Sequence, residues 1–241
     1  MYERGLSFCI PVYGTKDHVT RLVDSITAQT ALKNGEVNYE ILLGCDGDAD
    51  ALPVLRKIRE DNDRIRVFHD PVNRGKFITE NTLAAVSRYS SIIFIDSDDA
   101  LADTDAVTVL IHKYDGRYDI TAFSFRNMRG DGTDAGEQRV SGGNFMVKRS
   151  VFMAMNGFYP WRCRADGPFH TRAGRLGYTV AVTEEILISR LLREDSLLHC
   201  SAYGANSSKR REYRRMHIQN LERGEYICPV FNVNSNMVEL I

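Results

Sequence analysis

The chain has 241 residues, enough for one large domain or one domain with a substantial appendage. With 31 basic against 32 acidic residues and a net charge of −1, it has no global pull toward nucleic acid or membrane, and 43% hydrophobic residues is ordinary for a soluble globular protein. No apolar run reaches the ~20 residues that span a bilayer, and the five cysteines (Cys9, Cys45, Cys163, Cys200, Cys228) lack C-x-x-C spacing, which argues against a disulfide framework or zinc cluster and for a reducing, by default cytoplasmic, compartment. The first residues, Met1 to Gly5, have neither the basic flank nor the cleavage site of a secretory signal.

Residues 6–12 read as a buried strand closed by Pro11 and the turn at Tyr13-Gly14. Val19, Leu22, Val23 and Ile26 recur at helical spacing over 17–30, with Asp17 as cap and Asn34-Gly35 as stop. A second strand covers 39–43 and runs into an Asp/Gly-rich turn in which Asp48 and Asp50 read as turn and cap residues. A short helix begins near Leu52, a third strand covers 65–68, and Asn73-Arg74-Gly75-Lys76 turns into a helix over 77–89. A fourth strand follows, so the first hundred residues alternate strand and helix. That predicts an α/β fold with a doubly wound, mostly parallel sheet.

Beyond residue 100 the rhythm changes. A helix is expected over 106–112, strands over 119–125, 145–147 and 178–189, a loop or hairpin tip over 127–137, and a helix over 149–155 ended by Asn156-Gly157. Residues 160–177 are dense in Arg, Gly and aromatics and contain the lone tryptophan, Trp161. The expected organisation is one domain over 1–204, with halves of about 1–100 and 101–204, then a helical or irregular tail over 205–241 carrying the run Lys209-Arg210-Arg211-Glu212-Tyr213-Arg214-Arg215. That run reads as a solvated helix face or mobile tail, or else as a grip on the phosphates of a nucleic acid or an anionic membrane.

The stretch Ser91-Ile92-Ile93-Phe94-Ile95-Asp96-Ser97-Asp98-Asp99 organises the rest. A strand buried on both faces ends on three carboxylates within four residues, at the sheet end where α/β folds collect ligands. Carboxylates spaced D-x-D on a turn can share a divalent cation through hard oxygen ligands. The alternative is that they cap the next helix, but capping needs one such residue, not three.

These pieces, in this order, resemble the family-2-type nucleotide-sugar glycosyltransferases of the GT-A fold over roughly residues 6–199. Ile10-Pro11-Val12-Tyr13 is similar to the opening strand whose end touches the nucleotide base, and Gly44-Cys45-Asp46-Gly47 to the second, where an Asp meets the uracil ring. Asn73-x-Gly75 followed by Asn81 is similar to the stretch bordering the donor, and Asp96-Ser97-Asp98-Asp99 to the metal and donor motif. Gly143-Asn144, then Gly157-Phe158, Ala165-Asp166, Arg172 and Gly177-Tyr178 are similar to the acceptor half. The resemblance implies a nucleotide-binding half of Rossmann type, a mixed acceptor-binding half, and a nucleoside-diphosphate sugar, expected to be UDP-linked, as donor. Two departures stand out: Ala165 precedes Asp166 where an acid is usual, and no Q-x-x-R-W motif follows.

In chemical terms, Asp98 is the expected metal ligand, with His199 as a second and Asp96 holding the ribose or supporting the metal. Imidazole favours Mn²⁺ over Mg²⁺. Pro11, Tyr13, Asp46, Asn73, Gly75, Lys76, Asp96 and Ser97 are expected at the donor. Asp166 is the expected general base, implying inversion, and Trp161, Asn144 and Arg172 are expected to meet the acceptor, a saccharide, another hydroxyl-bearing molecule or a modified DNA base. Each has a plainer reading: His199 as a loop histidine, Trp161 as core, Asp166 as a helix cap, Asp46 as a turn residue. A nucleotidyltransferase using the same acids and a non-catalytic nucleotide-sugar-binding module are the rival functions.

Overall fold

The computed structural model describes residues 3–138, 142–194, 196 and 200–240. Strand β1 (Glu3–Val12) leads to helices α1 (Val19–Thr27) and α2 (Thr30–Lys33), then β2 (Tyr39–Asp46), α3 (Leu52–Glu60), β3 (Ile65–Asp70), α4 (Lys76–Val86) and β4 (Tyr89–Phe94). The second half contains β5 (Ala100–Leu101), α5 (Ala106–Val109), β6 (Ile120–Met128), β7 (Asp134–Gln138), β8 (Phe145–Lys148), α6 (Arg149–Ala154), α7 (Asp166–Arg175), β9 (Val180–Leu191), α8 (Ser208–Glu222) and β10 (Val238–Glu239). Among the described residues they form one sheet in the order β10-β3-β2-β1-β4-β8-β6-β9-β5, with β7 on β6.

The quartet β3-β2-β1-β4 is parallel, as the strand–helix alternation predicts. From β4 outward the sheet is mixed, because β8 runs antiparallel to both β4 and β6. Period-2 alternation divides the strands between two cores. Phe8, Ile10, Ile93 and Ile95 face the cluster holding α1, α3 and α5 residues. Cys9, Ile92 and Phe94 face the other, with Phe77 of α4, Phe152 of α6 and Phe169 of α7. All four parallel strands end at one pole, so Tyr13, Asp46, the turn at Asn73 and the acidic turn converge there.

The structure refines several expectations. Helix α1 starts at Val19, with His18 and not Asp17 at the cap position and no side-chain cap bond. The helix expected over 106–112 is α-helical only through Val109 and continues as a π-type turn over Leu110–Tyr114. Of the loop or hairpin tip expected over 127–137, the structure has the hairpin, with β7 antiparallel to β6. The segment expected as a tail is packed on the domain. Asn234 N–H donates to Thr82 Oγ1 at 2.8 Å, the Asn81 amide donates to the Asn232 carbonyl at 3.0 Å, and β10 extends the sheet beyond β3, where Glu239 receives both Arg66 Nε and Nη2 at 2.8 Å.

Candidate active site

The acidic turn is held from four sides. The Ser97 hydroxyl meets Thr15 Oγ1 at 2.7 Å, tying it to the loop after β1. Asp96 N–H donates to Asn144 Oδ1 at 3.0 Å, and the same amide donates to Asp99 Oδ2 at 2.6 Å, so one side chain at the start of β8 spans the turn. Leu191 N–H, at the end of β9, reaches Asp99 Oδ1 at 3.2 Å. Arg193 pairs with Asp98 Oδ2 at 3.2 Å while its other nitrogen donates to the Gly14 carbonyl at 2.9 Å, and Arg21 donates to the Asp98 carbonyl at 2.6 Å. Burial pushes the Asp98 carboxyl up, Asp96 adds to this, and Arg193 opposes it. Asp99 is pushed well up by burial and by its two acidic neighbours. With Arg193 on Asp98 and Lys76 on Asp96, three carboxylates face two cations; the excess oxygen charge suits a hard divalent cation, although among the described residues no three candidate ligand side chains gather on one point.

Below the turn lies an ionic floor. Lys76, the first residue of α4, contacts Asp96 Oδ1 directly and lies 3.7 Å from Glu80 Oε1 one turn on. Burial works against the lysine's charge, but Asp96, Glu80 and Asp166 outweigh it and raise its pKa. Burial pushes Glu80 up to about 8 despite Lys76. Gly143 closes the roof: a β-carbon there would stand 3.1 Å from Lys76 Nζ, 3.3 Å from Asp96 Oδ2 and 3.9 Å from Asp166 Oδ2. The site therefore brings Asp166 and Asp96 together across a bare backbone. Asp166 opens α7, where Ala165 is the cap residue and makes no side-chain cap bond. Its carboxylate instead crowds Gly142, whose β-carbon would be 2.8 Å from Oδ2. His170, one turn along α7, has Nε2 3.3 Å from the Gly142 carbonyl, and burial lowers its pKa.

At the other edge, Asp46 closes β2 and accepts Arg74 N–H at 2.6 Å and Gly75 N–H at 2.8 Å. It is 2% exposed. Both of its oxygens accept from this loop, so Asp46 fixes the turn over Asn73–Gly75. Gly75 adopts φ +103°, and a β-carbon there would stand 2.9 Å from Arg162 Cδ, so this turn needs glycine. Arg162 grips Asn73 through both its side chain and, at 2.9 Å, its carbonyl. Tyr13 is 59% exposed, whereas Pro11 lies within β1 against Gly44.

The other expected site residues are engaged with the protein itself. Trp161 is buried, stacked between Tyr159 at 4.5 Å and Tyr213 at 4.8 Å. Arg172 is 0% exposed and donates to the carbonyls of Met155, Gly157 and Tyr226, which fixes the loop after α6. Asn144 is buried and clamps the acidic turn, and Ser97 points to Thr15. His199 lies outside the described residues. Of the basic run on α8, Lys209 pairs with Glu212 at 3.0 Å, Arg210 and Arg211 donate to the Tyr203 and Asn206 carbonyls, and Arg214 and Arg215 are exposed. Sequence reasoning missed Glu80, Arg21 and Arg193. The Lys76–Glu80 spacing of one helical turn was a readable signal, whereas the contacts of Arg21 and Arg193 with the acidic turn left none.

The Glycosyl transferase family 2 model matches residues 7–178. The poly(ribitol-phosphate) beta-glucosyltransferase of Bacillus spizizenii is 26% identical over 129 residues, which are 53% of this chain and 20% of that protein. The chondroitin synthase of Pasteurella multocida is 31% identical over 110 residues, 45% of this chain and 11% of that protein. The chain thus spans about a fifth or less of these curated relatives. Among solved structures, Staphylococcus aureus TarS 1-349 with UDP-GlcNAc aligns at TM-score 0.66 and 16% identity, over 80% of this chain and 60% of that one. The mannosyltransferase PcManGT of Pyrobaculum calidifontis with GDP-Man and Mn²⁺ aligns at TM-score 0.71 and 14% identity, over 96% and 68%. No helix among the described residues is long and apolar enough to cross a membrane.

Proposed function

Because the chain belongs to glycosyl transferase family 2, we propose that it transfers a sugar from a nucleoside-diphosphate sugar, UDP-linked in the first instance, to a hydroxyl of a saccharide or similar acceptor, with inversion. The observation that carries this reading is the meeting of Asp96 and Asp166 at Gly143, from opposite halves of the chain, over the Lys76 ammonium.

Asp98 and Asp96 would hold a divalent cation, Mn²⁺ or Mg²⁺, with His199 as a candidate third ligand. When bound, the cation supplies Lewis-acid neutralisation of the departing diphosphate. Lys76 adds a positive charge beside the same oxygens. The Asn73–Gly75 turn, stiffened by Asp46 and Arg162, forms the wall against which the nucleoside rests, with Tyr13 exposed at its rim. Asp166 takes the acceptor hydroxyl's proton during attack, which contributes ~10²–10⁴-fold in rate. One carboxylate acting as base in a single displacement implies inversion at the anomeric carbon.

The test is release of free UDP on incubation with a panel of UDP-sugars and Mn²⁺, in parallel with GDP- and dTDP-sugars. Slow UDP release from one sugar supports the reading. Pyrophosphate release would assign nucleotidyl transfer instead, and silence with every donor would leave a binding module.

A further inference from the structure

Glu80 is the anomaly of the site. It is 1% exposed, and neither carboxylate oxygen has a hydrogen-bond partner. Buried polar groups are overwhelmingly paired, so an orphaned carboxylate at a functional site calls for an explanation. The nearby cation is Lys76, whose Nζ stands 3.7 Å from Oε1, about an ångström beyond a charged hydrogen bond. The ammonium is drawn onto Asp96. A divalent cation taking Asp96 would meet that ammonium on the same carboxylate, and like charges so placed repel. The lysine stem is flexible, Glu80 lies one helical turn along α4, and Gly143 offers no side chain to obstruct a swing.

We infer that Glu80 is a positioning residue: it receives the Lys76 ammonium when a divalent cation takes Asp96, so that lysine and metal exchange partners and do not compete for one carboxylate. The inference rests on the acidic turn being a cation site. Receiving the ammonium gives α4 a reason to bury a carboxylate that makes no hydrogen bond.

The test is Mn²⁺ titration of the full chain followed by electron paramagnetic resonance, for wild type, Glu80→Gln, Glu80→Asp, Lys76→Met and the Glu80→Gln/Lys76→Met double variant, with Trp161 fluorescence as the check of folding. Glu80→Gln should weaken Mn²⁺ binding about tenfold, a coupling typical of charges in contact. Lys76→Met should change it little in wild type but recover most of that loss in the Glu80→Gln background. Glu80→Asp, which keeps the charge but withdraws it by one methylene, should also weaken binding. Equal effects of Lys76→Met in both backgrounds, or wild-type affinity in Glu80→Asp, would reduce Glu80 to a simple field effect and overturn the inference. Absence of Mn²⁺ binding in wild type would instead remove the cation site itself, and the exchange with it.

Discussion

The acidic turn and the floor beneath it handle buried charge in opposite ways. In the turn, Asp99 is sealed by Asn144 and the Leu191 amide, Ser97 by Thr15, and Asp98 by Arg193, so hydrogen bonds from three separate strands or their loops set its shape. On the floor, Lys76, Glu80 and Asp166 are held by ionic proximity, and the two Glu80 oxygens make no hydrogen bond at all. The difference is in freedom to rearrange: groups tied by several directional bonds are costly to move, whereas a carboxylate without hydrogen bonds, such as Glu80, can take a new partner.

The largest effect should come from the floor. Asp166→Asn keeps the side chain's size and removes its basicity, so donor binding should persist while turnover falls ~10²–10⁴-fold, measured as UDP release at saturating donor. Retained turnover would remove Asp166 from the base role and reopen a retaining mechanism.

The next concerns pH. Glu80 moves from an ordinary 4.5 to about 8 on folding, so it binds its proton more tightly in the folded state. Its stabilising contribution is full below the unfolded value and is lost as pH rises through about 8. Stability of the metal-free protein should therefore decline across that window by up to ~1.4 kcal/mol per pH unit, with Asp98 and Asp99 adding slope at the acid end. Urea unfolding at stepped pH should show Glu80→Gln flattening the decline. An unchanged profile would mean that Glu80 is not carrying it.

In the turn, Asn144→Ala should cost about 2 kcal/mol of unfolding free energy, because it strands the Asp96 amide and one Asp99 oxygen. A loss confined to activity, with stability intact, would erase the contrast between the two regions. The smallest effect belongs outside both: removing the exposed Lys209–Glu212 pair on α8 should shift stability by no more than ~0.5 kcal/mol.

The parallel half was legible because strands buried on both faces leave uninterrupted apolar runs, and because the carboxylates that end β2 and β4 break those runs abruptly. Asp96 and Asp166 could be picked out as acids at element ends. Trp161, Arg172 and Asn144 were ambiguous in the sequence because the features that suit them to a ligand, a large flat ring, a guanidinium fork and a two-sided amide, suit them equally to the stack, carbonyl cage and turn clamp they form. β10 pairs through Val238 and Glu239 only, too short for any periodicity. The packing of 205–241 rests on single asparagines, Asn232 and Asn234, whose role depends on what they meet in space.

The central claim is that a cation held by Asp96 and Asp98 faces a nucleotide resting on the Asn73–Gly75 wall. A crystal of the protein grown with Mn²⁺ and UDP tests it most directly. The account predicts the metal on the Asp98 carboxylate, the diphosphate between it and Lys76, and the Lys76 ammonium within hydrogen-bond distance of Glu80. Metal or nucleotide lodged elsewhere, with the acidic turn unchanged, would contradict it.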